Sequence, residues 1–343
     1  MPYATADDGS GGARLESVAR TALAAYDLPG KPALRPLAFG LNATFEVRAA
    51  STRYVLRVHR TGYRTADQIR SELEFVRTIG TELAGDPAVP EPVPDREGAL
   101  VVETEYGGER RYCDLLSWLD GRVHSVGDGL DDAGVWALGR ALGRLHNAGA
   151  AFRPSVGFAL PRWDADGMFD PAASPFRPTL AVEDVLAPAD RAQFAEIAAR
   201  TQTAFDALGR GEDAYGITHI DYILGNCFLR RGTEGWNVSV FDFDDCGWGY
   251  FAYDLVPLLG NLAGYPGPVR DNPAYPELRD AYLAGYRSAR PLPTEWERLV
   301  PLMLAARNAN HCLLTARPDV SGTPADDAAW RMDLARRCLE LPV

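Results

Sequence analysis

The sequence predicts an α+β protein in two lobes, a small N-terminal lobe built on an antiparallel sheet and a larger, mainly helical C-terminal lobe. Three observations carry that prediction. At 343 residues the chain is longer than a single hydrophobic core usually serves. From Leu37 to His59 apolar and polar residues alternate around a Gly-Leu-Asn-Ala turn and an Ala-Ser-Thr turn, the period-2 pattern of a three-stranded meander. After Asp131 most apolar residues recur at helical spacing instead. A glycine-containing turn at Asp120-Gly121 marks the boundary, giving lobes at residues 1–119 and 120–343.

Each element follows from local pattern. A helix runs from Ala13 to Leu28 and stops before Pro29-Gly30. After the meander, Ile69, Leu73, Val76 and Ile79 define an amphipathic helix from Asp67 to Ile79, with Glu72 and Glu74 available for pairing. A proline-rich connection, PAVPEPVPDREGAL, precedes strands in LVVETEY and RRYCDLLSWL, which complete a five-stranded sheet. The C-terminal lobe begins with a strongly apolar helix from Asp131 to about Ala148. From Phe152 to Pro188 recurrent prolines predict a loop, and one this long inside a compact domain is usually functional or mobile. Helix returns in ADRAQFAEIAARTQTAFDAL, two acidic strands form a hairpin, and everything after Phe251 reads as helix.

Composition narrows the function. With 46% hydrophobic and 24% charged residues the chain is an ordinary globular protein, and no apolar run is long enough to cross a membrane. The N-terminal MPYATADDGSGG is polar and acidic where a signal peptide needs a basic start and an apolar body, so a cytoplasmic protein is expected. Five dispersed cysteines without a C-x-x-C pair argue against disulfides and zinc; Cys227 and Cys246, next to the acidic motifs, read as buried apolar filling rather than as lining of a site. A net charge of −12 argues against nucleic acid; it suits a cationic small substrate and equally suits simple solubility. The sole lysine, Lys31, precedes Pro32, which excludes a Walker A loop and leaves any phosphate-binding cation to arginine.

The chemistry concentrates between Tyr215 and Asp254. One strand and its sequel carry His219, Asp221 and Asn226 as H-x-D-x4-N; the next carries Asp242, Phe243, Asp244 and Asp245. Phosphoryl transfer from a nucleotide needs such a set: a carboxylate to orient the attacking hydroxyl, and an amide oxygen plus a second carboxylate to hold magnesium. Several carboxylates converging without a cation would repel one another, which is itself a reason to expect metal.

These motifs and their spacing resemble the aminoglycoside phosphotransferase-like kinases, a family that includes homoserine kinase type II and choline-kinase-like enzymes and shares the bilobal protein-kinase-like fold. The resemblance runs from about Leu37 to Arg317. It implies that Asp221 is the catalytic base, that Asn226 and Asp242 are magnesium ligands with Asp244 within reach of a second ion, and that His219 supports the loop. It also implies that Arg57 occupies the position of the kinase strand lysine, with Glu72 as its ion-pair partner, and that Gly40, Asn42 and Thr44 belong to the turn over the nucleotide, ATP or GTP. Without the resemblance, the turn is an ordinary hairpin tip, and Arg57 and Glu72 are an exposed strand arginine and helix glutamate. Asp254 has two readings, an anchor for the catalytic loop and an N-cap for a helix starting at Leu255.

The family writes H-G-D-x-H-x-x-N, whereas this chain has Ile220 for the glycine and Ile223 for the second histidine. Eleven residues lie between Asp242 and Asp254, and no A-P-E follows, so no long activation segment fits and a small hydroxyl compound is the expected acceptor, cationic acceptors included. A bacterial protein Ser/Thr kinase of the same fold and a nucleotide-binding pseudokinase are the alternatives. An aspartate-nucleophile phosphatase is disfavoured, because its D-x-D normally opens the domain and a lysine follows, and neither holds here.

Overall fold

The protein is described from a computed structural model covering residues 10–233, 235–264 and 272–341. Its N-terminal lobe starts with helix α1, Ser10–Leu23, shorter at its end than expected, and continues into strands β1, Ala33–Phe39, β2, Ala43–Ala49, and β3, Thr52–Val58. Helix α2, Ala66–Leu83, follows. Its first turn is closed by a capping box in which the Thr65 hydroxyl accepts from the Gln68 backbone N–H while the Gln68 side chain accepts from that of Thr65. Strands β4, Pro92–Val93, β5, Val102–Tyr106, and β6, Glu109–Ser117, complete an antiparallel sheet of six strands rather than five. The additional strand is β4, a two-residue piece in the proline-rich connection that pairs with β6 at Leu115 and Leu116. Pro36 is tolerated because β1 is an edge strand, and the register shifts just after it.

Strand periodicity gives the sheet two faces. Phe45, Val47, Leu56, Val58, Cys113 and Leu115 point to one side and pack with Val18, Ala19 and Ala22 of α1. The opposite face carries Thr44, Arg57 and Asp114, paired in one row across β2, β3 and β6, with Glu46, Val55 and Leu116 in the next. Alternation therefore turns the charged row toward the second lobe.

That lobe opens with α3, Asp132–Ala151, capped by Asp131, whose carboxylate accepts from the Gly134 N–H. The segment expected as loop is mostly irregular but packed, and it holds three short elements, β7, Arg162–Trp163, α4, Ala165–Phe169, and α5, Val182–Val185. Its aromatics are the reason, since Trp163 and Phe176 are buried against each other and Met168 and Phe169 join them. Then come α6, Pro188–Leu208, β8, Tyr215–Thr218, β9, Cys227–Arg231, β10, Trp236–Val240, and β11, Gly247–Tyr250. Strands β9 and β10 form the expected hairpin; β7, β11 and β8 form a second small sheet.

The helix expected after Phe251 breaks at Leu255 into α7, Phe251–Asp254, and α8, Val256–Leu262, and the chain finishes with α9, Tyr275–Ala289, α10, Thr294–Thr315, and α11, Pro324–Leu339. Part of the apolar text between α8 and α9 lies outside the described residues. Helices α3 and α9 meet backbone to backbone: a Cβ on Gly139 would sit 1.9 Å from the Tyr282 carbonyl oxygen, so only glycine permits this approach. Phe75, Val76 and Ile79 of α2 share a core with Leu138 and Leu142 of α3, which fixes one lobe against the other.

Candidate active site

Between the lobes lies a cavity of about 720 Å³. Gly40, Asn42, Thr44, Arg57, Asp221, Asn226, Asp242 and Asp244 all line it. Glu72, His219 and Asp254, also singled out from sequence, do not line it; Glu72 reaches the cleft through Arg57.

The floor is the segment from His219 to Asn226. Asp254 is fully buried and accepts from the backbone N–H groups of His219 (2.8 Å) and Ile220 (2.6 Å) and from His146 Nε2 (3.1 Å). It therefore anchors this loop, and no side chain caps α8. Burial opposes ionisation of Asp254, but the His146 hydrogen bond and further partners hold its carboxyl below the ordinary range. His219 Nε2 meets the Phe241 carbonyl at 3.0 Å, tying the floor to the next strand end. Asn226 donates from Nδ2 to the Asp221 carbonyl (2.9 Å) and carboxylate (3.0 Å), which leaves its amide oxygen to offer a cation. The other Asp221 oxygen pairs with Arg307 of α10, whose Nη1 donates to the Ile220 carbonyl at 2.9 Å. Ile220 holds φ +69° and Asp242 φ +64°. Aspartate tolerates that region, whereas a β-branched residue there is strained, by about 1–3 kcal/mol.

Carboxylates crowd the side facing the sheet. Burial and the neighbouring charges of Asp244 and Asp221 push Asp242 up to about 7. Asp244 and Asp245 act as a pair: despite burial, His59 and Arg64 hold Asp244 low, while burial and Asp244 raise Asp245. Such a set is short of positive charge, and this is how it fits a hard divalent cation. Among the described residues no three His, Cys, Asp or Glu side chains make a closed metal cage. Magnesium does not require one, since it is commonly held by one or two carboxylates plus substrate phosphates and water.

The roof is the Gly40 turn. The Gly40 N–H donates to the Asn42 carbonyl (3.0 Å), and Arg60 holds the turn through the Gly40 and Leu41 carbonyls and the Asn42 side chain. Arg60 also reaches Asp319, beyond α10, at 2.6 and 3.0 Å, so the roof is strapped to the second lobe. Gly40 itself lies outside the left-handed region, so backbone freedom does not explain the glycine.

Arg57 is buried, not exposed. Its Nε and Nη2 grip Asp114 and its Nη1 reaches Glu72 at 2.8 Å. His59 Nε2 contacts the same Asp114 carboxylate at 2.5 Å, and its Nδ1 lies 3.6 Å from Asp244, too far for a hydrogen bond but close enough for charge attraction. Burial works against a charged imidazole, yet these two carboxylates raise His59 to about 9, so it is a cation at neutral pH.

Sequence reasoning missed Asp114, His59, Arg60 and Arg307. Two of them had a signal: His59 shares the face of Arg57 at period 2, and Asp114 is a lone charge inside the apolar run Cys113–Leu116.

A nucleotide-sized cleft with a hydrogen-bonded aspartate-asparagine floor and an acidic rim, under a six-stranded sheet, defines a kinase-like phosphotransferase. The family model described as "Phosphotransferase enzyme family" matches residues 33–301, and the chain belongs to that family. Amicoumacin kinase of Bacillus subtilis is 26% identical over 303 residues, 85% of this chain and 82% of that protein. A solved microcompartment-associated aminopropanol kinase superposes with a TM-score of 0.73 at 26% identity, covering 94% of this chain and 97% of that one. An amicoumacin kinase solved with AMP-PNP, Ca2+ and Ami gives a TM-score of 0.76 at 21% identity, covering 96% of each. The protein is thus a phosphotransferase of kinase type with an alcohol group as acceptor.

Proposed function

We propose that the protein moves the γ-phosphoryl group of ATP or GTP, with Mg2+, to a hydroxyl of a small amine-bearing molecule such as an amino alcohol, amino acid or aminoglycoside-like compound. The observation that carries this reading is that Asp221, Asn226, Asp242 and Asp244 open onto the same cavity as Arg57 and the Gly40 turn. Val55, Leu116, Phe228 and Phe241 supply an apolar end suited to a purine ring. At the other end Asp221 takes the proton of the acceptor hydroxyl; the new bond forms between that oxygen and phosphorus as the bond to the departing diphosphate breaks. Asn226, Asp242 and Asp244 are the residues to hold magnesium, which when bound neutralises phosphate charge. Arg57, with Asp114 and Glu72 behind it, presents a fixed positive charge to the nucleotide.

Acidic groups around the acceptor end, Asp221 and Asp245, favour a cationic amine, and the named substrates of two relatives point the same way. Among the described residues no helix is long and apolar enough to cross a membrane.

The test measures thermal stabilisation by ATP and GTP with Mg2+ and nucleotide consumption across a panel of amino alcohols, aminoglycosides and neutral or anionic alcohols. Stabilisation and consumption with an amine-bearing acceptor are expected. Asp221→Ala should lose transfer by about 10²-fold or more while keeping the stabilisation. No shift in melting with either nucleotide sinks the kinase assignment, and preference for anionic acceptors sinks the acceptor class.

A further inference from the structure

Ile220 is the one residue of the cleft floor whose type and backbone conformation conflict. Its φ of +69° suits glycine, while its side chain is buried in the core with Trp163 and Tyr253. Two contacts hold the peptide on either side of it. The Ile220 N–H donates to Asp254 at 2.6 Å, and its carbonyl accepts from Arg307 Nη1 at 2.9 Å. The same guanidinium grips the Asp221 carboxylate through Nη2. A rigid planar fork therefore joins the strained carbonyl to the base, a geometry that an ammonium cannot copy. Arg307 itself projects from α10, whose Met303, Leu304, Ala306 and Ala309 are buried, so the fork has a firm support. If the carbonyl were released, Ile220 would relax toward negative φ, and rotation of the following peptide would carry Asp221 away from Asn226.

We propose that Arg307 is a positioning residue that keeps the catalytic loop competent with isoleucine at position 220, a residue type unsuited to the left-handed backbone it holds there. The proposal rests on Asp221 being the base. Glycine would hold the left-handed conformation unaided and would need the fork far less.

The experiment is a double-mutant cycle with Arg307→Ala and Ile220→Gly, singly and together. Each protein is measured for kcat and nucleotide KM in Mg-ATP turnover, for stabilisation by AMP-PNP, and for amide hydrogen exchange across residues 217–224. Arg307→Ala is expected to lower kcat roughly 100-fold, as for a misplaced catalytic group, with nucleotide KM nearly unchanged. In the Ile220→Gly background the same change is expected to lower kcat roughly 10-fold or less. Exchange at 217–224 should rise in Arg307→Ala and fall back in the double variant. Equal losses in the two backgrounds, or unchanged kcat in Arg307→Ala, overturn the proposal.

If Arg307→Ala does not fold, Arg307→Lys takes its place, and retention of full kcat there overturns the fork geometry. The exchange measurement does not depend on turnover. Should the wild type consume no nucleotide with any acceptor, the functional assignment fails, while exchange that does not respond to Arg307→Ala would separately remove Arg307 from its role.

Discussion

One face of one sheet carries two carboxylate-arginine clusters with opposite fates. At its inner end Asp114 is shared by Arg57 and His59, all buried, with Glu72 completing the group. At its outer end Glu46 receives Arg35, Arg48 and Arg53, whose guanidinium-bearing side chains are 68%, 61% and 38% exposed. Both carboxylates are hidden from water, but Glu46 is hidden only by groups that are themselves in water. The contrast shows that burial of the partners, not of the acid, decides what an ion pair does. In the inner cluster desolvation makes every member depend on the others, so it acts as a rigid brace beside the nucleotide cleft. In the outer cluster solvent screens each pair and the parts stay nearly independent.

The largest expected effect comes from breaking the inner cluster. Asp114→Ala would leave Arg57 and His59 buried with their shared acid removed, and a loss of about 3–5 kcal/mol in chemical denaturation is expected. His59 should then titrate lower, since burial already opposes its charge and the first of its two carboxylate partners is gone. A loss below about 1 kcal/mol would erase the difference between the clusters.

How much of this was legible in the sequence depends on the range of each contact. The two-lobe α+β architecture was readable from periodicity, and His219, Asp221, Asn226, Asp242 and Asp244 are set by short-range spacing. Asp114 is 57 positions from Arg57 and Arg307 is 86 from Asp221, so both contacts depend on strand register and helix placement that no local pattern states. Glu72 was expected as a partner from the resemblance, and the helix α2 that carries it follows β3 closely. The 152–188 segment is mostly loop as its prolines say, but proline frequency tells where a chain turns, not that Trp163 and Phe176 are buried between the turns or that short elements form there. Asp254 was undecidable from sequence, since an N-cap and a loop anchor both need a short acid before a helix.

Arg57→Lys gives an intermediate effect and sharpens the comparison. The charge stays, but the fork onto Asp114 and the reach to Glu72 cannot both be kept, so a loss of about 1.5–3 kcal/mol is expected. The matching change at the outer end, Arg48→Lys, should be nearly silent in the same denaturation assay. Equal effects at both ends would mean that guanidinium geometry matters regardless of burial and that burial does not separate the clusters.

The smallest effect expected to be measurable belongs to Glu46→Gln, and its pH dependence is the finest test. The hydrogen bond from Arg48 and those from Arg35 and Arg53 outweigh burial and lower Glu46 to about 2, whereas in the unfolded chain a glutamate titrates near 4.3. A carboxyl depressed on folding contributes stability that is fully present above the unfolded value and is lost as pH falls toward the folded one. The difference in stability between wild type and Glu46→Gln should therefore be constant above about pH 5 and shrink steadily from there to about pH 2. Screening by water keeps its plateau below about 1 kcal/mol, and moderate salt should reduce it further. A plateau of several kcal/mol, insensitive to salt, would show that three exposed arginines can isolate a carboxylate from solvent as well as a protein core does.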